Sequence, residues 1–218
     1  MKSAFYAQTR LPTVHGEFDV RIYKEGDKEH VVISIGALDG ATALPVRIHS
    51  ECLTSEVLGS LKCDCKAQLD SALVHIQEKG RGAVLYLRQE GRGIGLGNKI
   101  RAYELQEQGV DTVDANRQLG FGDDLRCYDV AADMLRALGI ESVDLLTNNP
   151  LKVNGLRQAG FNVVDRTPIV AGVNTVNQQY LETKRIRMGH MLPEHRVVES
   201  VPRYEAAKLS LVANHTGA

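Results

Sequence analysis

Three of the chain's four cysteines, Cys52, Cys63 and Cys65, fall within fourteen positions as C-x10-C-x-C. In a reducing compartment such a cluster reads as metal ligands, catalytic thiols or core residues before it reads as disulfides. Two thiolates one residue apart reach the same ion from a tight turn, and a third returns from the preceding segment. Zinc binds cysteine sulfur well. A structural zinc takes four protein ligands, whereas a catalytic one keeps a position for water that ionises near neutral pH. The three cysteines leave that position open; His49 or the remote Cys127 would close it. Three thiolates and one Zn2+ sum to about minus one, and Arg47, Lys62 and Lys66 stand beside them in sequence. The plainer reading is three unrelated buried cysteines. The spacing favours a metal and says nothing of the substrate.

A second segment, Gln89-Glu90-Gly91-Arg92-Gly93-Ile94-Gly95-Leu96-Gly97-Asn98-Lys99, follows an expected strand and opens an expected helix. Glycines there let backbone N–H groups approach a phosphate at a helix N-terminus. The spacing is neither a P-loop nor G-x-G-x-x-G, and a tight connection is the bland alternative; Arg92, Lys99 and Arg101 favour an anion. Asp124-Leu125-Arg126 lies in a glycine-flanked turn before a helix, where a capping aspartate and a solvated arginine are the default. Tyr103 falls on an apolar helical face and reads first as a core residue. Thr147 and Lys152 flank an expected helix start, where a threonine cap competes with phosphate binding.

The elements that must position these residues form an α/β pattern, a mix of α and β with a β-rich beginning. Val31 to Ile35 and the run near Val46 to Ile48 read as strands. Leu69, Ala72, Leu73 and Ile76 share a helical face that stops at Gly80. Ala83 to Leu87 reads as a buried strand, and Leu96, Ile100 and Tyr103 as one face of a helix ending before Gly109. A helix carrying Val130, Met134 and Leu138 ends at Gly139, and Val143 to Leu146 is a strand. Thr147-Asn148-Asn149-Pro150 opens a helix to Ala159, and a strand follows around Asn162 to Val164. Residues 1–192 read as one catalytic domain. Residues 193–218 read as an extension, partly disordered, with a short helix near Tyr204 to Val212.

Bulk properties are those of an ordinary globular chain: 218 residues, 43% hydrophobic, 24% charged. A net charge of -1 with 5% aromatic residues argues against a nucleic-acid or membrane partner. No apolar leader or spanning segment is evident, which points to a cytoplasmic protein.

Together the pieces resemble GTP cyclohydrolase II, the first enzyme of riboflavin biosynthesis, in its stand-alone form. The resemblance is carried by Arg47-Ile48-His49-Ser50-Glu51-Cys52-Leu53-Thr54, Leu61-Lys62-Cys63-Asp64-Cys65, Gln89 to Leu96 and Lys99-Ile100-Arg101-Ala102-Tyr103. Asp114-Ala115-Asn116, Leu119-Gly120-Phe121, Leu145 to Pro150 with Lys152, and Met188-Gly189-His190 extend it in order over about residues 8 to 192. It implies a zinc- and magnesium-dependent homodimer that opens the imidazole ring of GTP. The products would be formate, pyrophosphate and a diaminopyrimidinone ribosylamino phosphate. It implies zinc on Cys52, Cys63 and Cys65, with water as the remaining ligand and Mg2+ on the phosphates. Arg47, Ile48, His49, Ser50, Glu51, Gln68, Glu90, Gly91, Arg92, Thr112, Thr147 and Lys152 would contact GTP. Asp124 would be the proton acceptor, Arg126 the nucleophile at the α-phosphorus, and Tyr103 would act near the opening ring. The chain departs from the family pattern at Cys127, where an acidic residue usually follows the Asp-x-Arg arginine. Two alternatives follow: a paralogue serving another GTP-derived route or keeping the formyl group, and a non-catalytic zinc-containing nucleotide-binding protein.

Overall fold

Alternating residues near the start build a meander. In the computed structural model, which describes residues 3–192, β1 (Ala4–Thr13), β2 (Gly16–Glu25) and β3 (Lys28–Ile35) pair antiparallel in succession. The extension 193–218, with the helix expected near 204–212, lies outside the described residues. From β4 (Leu44–Ser50) onward strands alternate with helices: α1 (Leu53–Glu56), α2 (Cys65–Lys79), β5 (Gly82–Leu87), a 3-10 turn (Glu90–Gly93), α3 (Gly95–Glu107) and α4 (Thr112–Gln118). Then come α5 (Asp129–Ala137), β6 (Val143–Leu146), α6 (Pro150–Gln158), β7 (Val163–Thr167) and α7 (Gln178–Arg187). The expected α/β pattern with a β-rich beginning is what the chain adopts. Among the described residues no helix is long and apolar enough to cross a membrane.

The strands form one seven-stranded sheet in the order β1-β2-β3-β5-β4-β6-β7. β5 pairs antiparallel with β3, while β5, β4, β6 and β7 run parallel. Pleating splits the core in two. Val46, Ile48, Leu85, Leu87 and Leu145 face Met134, Leu135 and Leu156 of α5 and α6. Val84 faces the other way, with Ala72, Leu73 and Ile76 of α2 and with Phe18. The connection from β4 leaves through α2 to β5 on one side, and that from β6 leaves through α6 to β7 on the other. The carboxyl ends of β4 and β6 therefore flank a topological switch point, where open α/β sheets bind ligands.

β4 is buried almost throughout, and such a strand is normally a continuous apolar run. It interrupts that run with Arg47 and His49, both buried. Aliphatic residues there would contribute about 1.5–3 kcal/mol each; the polar pair forgoes this and needs hydrogen-bond partners instead.

Two local expectations change. Leu96 and Ile100 are exposed rather than core, because α3 packs chiefly on α4 and the Glu90–Gly93 turn instead of on the sheet. At the start of α6 the cap is Asn149, whose Oδ1 accepts from Leu151 N at 2.9 Å, and not Thr147.

Gly82 opens β5 with φ +145°, and a Cβ there would lie 2.8 Å from the Pro45 carbonyl oxygen and 2.5 Å from Ile76 Cγ2. Gly82→Ala is expected to destabilise the protein by about 1–3 kcal/mol, read as a lower urea midpoint with an unchanged m-value.

Candidate active site

Cys52 follows β4 directly and forms the N-cap of α1, while Cys63 and Cys65 bracket Asp64 at the start of α2. The three sulfurs lie within 4.8 Å of one another, with Cys52 Sγ 3.6 Å from Cys63 Sγ. Neither alternative fourth ligand joins them. His49 turns Nε2 to Glu56 Oε1 at 2.7 Å, and Cys127 is exposed. Hydrogen bonds from the neighbouring sulfurs, with burial, push the Cys63 and Cys65 thiols up, while the same bonds pull Cys52 down. One thiolate is thus favoured without a cation, and a divalent ion is what lets all three ionise together. Three converging soft donors fit zinc.

Above the sulfurs lies a cleft of about 1040 Å³, open mouth included, at the carboxyl ends of the parallel strands. Six cations line it: Arg47, Arg92, Lys99, Arg126, Lys152 and Lys184. Lys99 Nζ lies 3.1 Å from Cys52 Sγ and 2.8 Å from Glu90 Oε1. Glu90 Oε2 accepts from Leu53 N at 2.7 Å and so ties the glycine-rich turn to α1. Lys184 Nζ donates to Asp64 Oδ1 at 2.9 Å, and Gln68 links the other Asp64 oxygen to Arg47. Arg47 Nη1 donates to Leu146 O at 2.9 Å, and Lys152 Nζ donates to Ile48 O at 2.7 Å. Burial pushes Arg47 down to about 10. Burial, then Arg47 and Arg126, push Lys152 well below its ordinary value.

The turn carrying Arg92 is left-handed at two successive residues, Gly91 and Arg92, each with φ 61°. For an arginine this costs roughly 1–2 kcal/mol. The strain aims the side chain at Tyr180, whose hydroxyl lies 3.4 Å from Arg92 Nη2. Tyr103 borders the same cleft instead of filling the core, and burial pushes its phenol up to about 12.

Arg47, His49, Ser50, Glu51, Gln68, Glu90, Gly91, Arg92, Thr112, Thr147 and Lys152 all line the cleft, as do Tyr103, Arg126 and the three cysteines. Two expected residues do not. Ile48 points into the α5–α6 core and offers only its carbonyl, to Lys152. Asp124 sits behind Arg126, accepting from its Nε at 2.8 Å and Nη2 at 2.5 Å. Against the effect of burial, Arg126 holds the Asp124 carboxyl below its ordinary value, and Asp124 holds the guanidinium charged. A carboxylate so occupied is a poor proton acceptor as placed. Arg101 turns to Asn98 at 3.3 Å and stays out of the cleft. Tyr180 and Lys184 on α7, together with His190, line it without having been singled out as site residues. Their signals were an i, i+4 aromatic–lysine pair and the Met188-Gly189-His190 stretch.

Fold and site together define an α/β enzyme whose cleft is lined by three converging cysteine sulfurs and six cationic side chains. The model of the GTP cyclohydrolase II family matches residues 4–168, and the chain belongs to that family. It is 50% identical over 197 residues to the GTP cyclohydrolase-2 of Shewanella woodyi, covering 89% of this chain and 96% of that one. With the GTP cyclohydrolase-2 of Shewanella amazonensis the identity is 52% over 196 residues, covering 89% and 96%. With that of Citrobacter koseri it is 52% over 188 residues, covering 85% and 96%. A solved two-domain 3,4-dihydroxy-2-butanone 4-phosphate synthase from A. baumannii is more remote, with 21% identity and a TM-score of 0.43 over 77% of this chain and 40% of its own.

Burial also lowers the pKa of His30, and pulls His49 down to about 4. Both are neutral when folded and titrate near 6.5 when unfolded. The unfolded chain therefore binds more protons as the pH falls. The stability linked to these groups is complete above about pH 6.5 and is lost on the way to about pH 4, with His49 accounting for about 3 kcal/mol. Urea midpoints at about pH 7.5 and 5 should show the drop, and His49→Gln should flatten it.

Proposed function

We propose that this enzyme opens the imidazole ring of GTP, releasing formate and pyrophosphate and leaving a diaminopyrimidinone ribosylamino phosphate, the first step of riboflavin biosynthesis. The observation that carries this reading is that six cationic side chains and three converging sulfurs line one cleft. The cations suit a triphosphate, and the sulfurs suit the metal that a hydrolysis needs. Bound there, zinc would supply Lewis acidity and a coordinated water of near-neutral pKa; magnesium would accompany the phosphates.

The remaining roles fall to the chain. Arg47 and Lys152 rest on neutral oxygens, and a phosphate beside them would favour the charged form of the buried lysine, so they bind phosphate most directly. Arg92 and the amides of its turn approach the same groups. Arg126 stabilises charge on the phosphates while Asp124 orients it. The pairing with Asp124 keeps the guanidinium protonated and supports this role over attack on phosphorus. Tyr103, with its phenol still protonated at neutral pH, donates a proton or a hydrogen bond to the opening ring. Departure at Cys127 bears little on the cleft, since that side chain is exposed.

Zinc-loaded protein given GTP and magnesium should release one formate and one pyrophosphate per GTP; release of neither rejects the assignment, and a product still carrying formyl by mass spectrometry points to the paralogue. Cys63→Ser should lose both zinc, by elemental analysis, and formate release. Lys152→Ala should raise KM for GTP about tenfold or more with a smaller fall in kcat, the mark of a lost ground-state contact.

A further inference from the structure

β4 and β5 run parallel, and their register sets His49 opposite Tyr86. The rings stack with centroids 5.6 Å apart and planes inclined by 19°. Glu56, the last residue of α1, reaches back across both. Its Oε1 lies 2.7 Å from His49 Nε2, and its Oε2 accepts from the Tyr86 hydroxyl at 2.5 Å. The His49 and Glu56 side chains are 2% and 9% exposed. The other imidazole nitrogen, Nδ1, is buried, belongs to a residue lining the cleft and has no hydrogen-bond partner.

A carboxylate accepts hydrogen bonds and donates none. With one Glu56 oxygen engaged by the Tyr86 O–H, the other must receive the Nε2–H of His49. Burial keeps the imidazole neutral at pH 7, so the ring has one proton and it lies on Nε2. Nδ1 is left with a lone pair and nothing to accept from. The nearby cations are engaged elsewhere, Arg47 with Leu146 O and Gln68, Lys152 with Ile48 O. A phosphate oxygen is itself an acceptor and cannot meet the need. The complement is an N–H or O–H on the base or the ribose.

We propose that His49 Nδ1 accepts a hydrogen bond from the non-phosphate part of the substrate, and that Glu56 and Tyr86 are positioning residues that hold the imidazole in the tautomer which permits it. The substrate half of this statement rests on the GTP assignment; the tautomer half does not. The arrangement divides recognition between the cations, which take the charge of the triphosphate, and one neutral nitrogen, which reads what the triphosphate is attached to. It also runs through α1, so the residue that orients His49 lies four positions after Cys52.

The test uses zinc-loaded protein with 15N-labelled histidine, in which the nitrogen shifts report where the proton sits. His49 of the native protein should carry it on Nε2 at about pH 7. Glu56→Gln should lose that fixed tautomer, because an amide both donates and accepts. Tyr86→Phe, the milder change, should lower kcat/KM for GTP about three- to tenfold and leave the affinity for inorganic triphosphate unchanged. A proton on Nδ1 in the native protein overturns the proposal. So does equal weakening of GTP and inorganic triphosphate in Tyr86→Phe, which would mark a general distortion of the cleft. Formate release by the native enzyme separates the two halves. If it is absent while the proton sits on Nε2, the substrate assignment falls and the tautomer assignment stands.

Discussion

Like charges crowded into a partly buried cleft repel one another and lose hydration, so each must be held by something of opposite polarity. That constraint organises this enzyme. Lys99 has Glu90, Arg126 has Asp124 and Lys184 has Asp64. Arg47 and Lys152 have only amide and carbonyl oxygens, and burial, with neighbouring cations adding to it, lowers the pKa of both. The partnering carboxylates also fasten separate parts of the chain together. Glu90 joins the glycine-rich turn to α1, and Asp64 joins the cysteine turn to α7. Neutralising the cleft and assembling it are one process, and three cations, Arg47, Arg92 and Lys152, rest on neutral partners where an anionic ligand would lie.

β4 makes this arrangement possible because its two faces serve different ends. One presents Val46 and Ile48 to the larger core, and the other presents Arg47 and His49 toward α2 and the cleft. The strand forgoes apolar burial at two central positions and recovers part of it through hydrogen bonds to Gln68, Leu146 and Glu56. Paired with β6 over Leu44–Val46 and with β5 over Val46–Ser50, it fixes the following Cys52 relative to the sheet.

Much of this was legible in the residues themselves. Apolar periodicity located α2, β5, α5 and β6, and glycine marked the end of α2 at Gly80. The cysteine spacing located the sulfur cluster, because two side chains a residue apart in a tight turn have little freedom to diverge. Periodicity failed at α3. Leu96, Ile100 and Tyr103 do share a face, but that face meets solvent and the cleft, and apolar spacing alone does not say which surface a helix covers. Local pattern also missed the Asp124–Arg126 pairing, where a helix cap was the default, and the i, i+4 spacing of Tyr180 and Lys184 was too weak a signal to single them out. Those two act on residues 88 and 120 positions away, a separation that no local window spans. The family resemblance supplied most of the residues that line the cleft, and the structure moved Ile48 and Asp124 out of its lining.

The Asp64–Lys184 tether has a bearing on synthesis. The cysteine turn is made ahead of β5, β6 and β7, while the lysine that neutralises its buried aspartate belongs to the last described helix. At translation rates of about 5–20 residues per second, the nascent chain passes several seconds with Asp64 lacking its counter-ion. The sheet can gather during that interval, but the pocket wall formed by α7 is completed only once Lys184, 120 positions after Asp64, has been made. The cleft therefore closes around its cysteines well after those residues have been made.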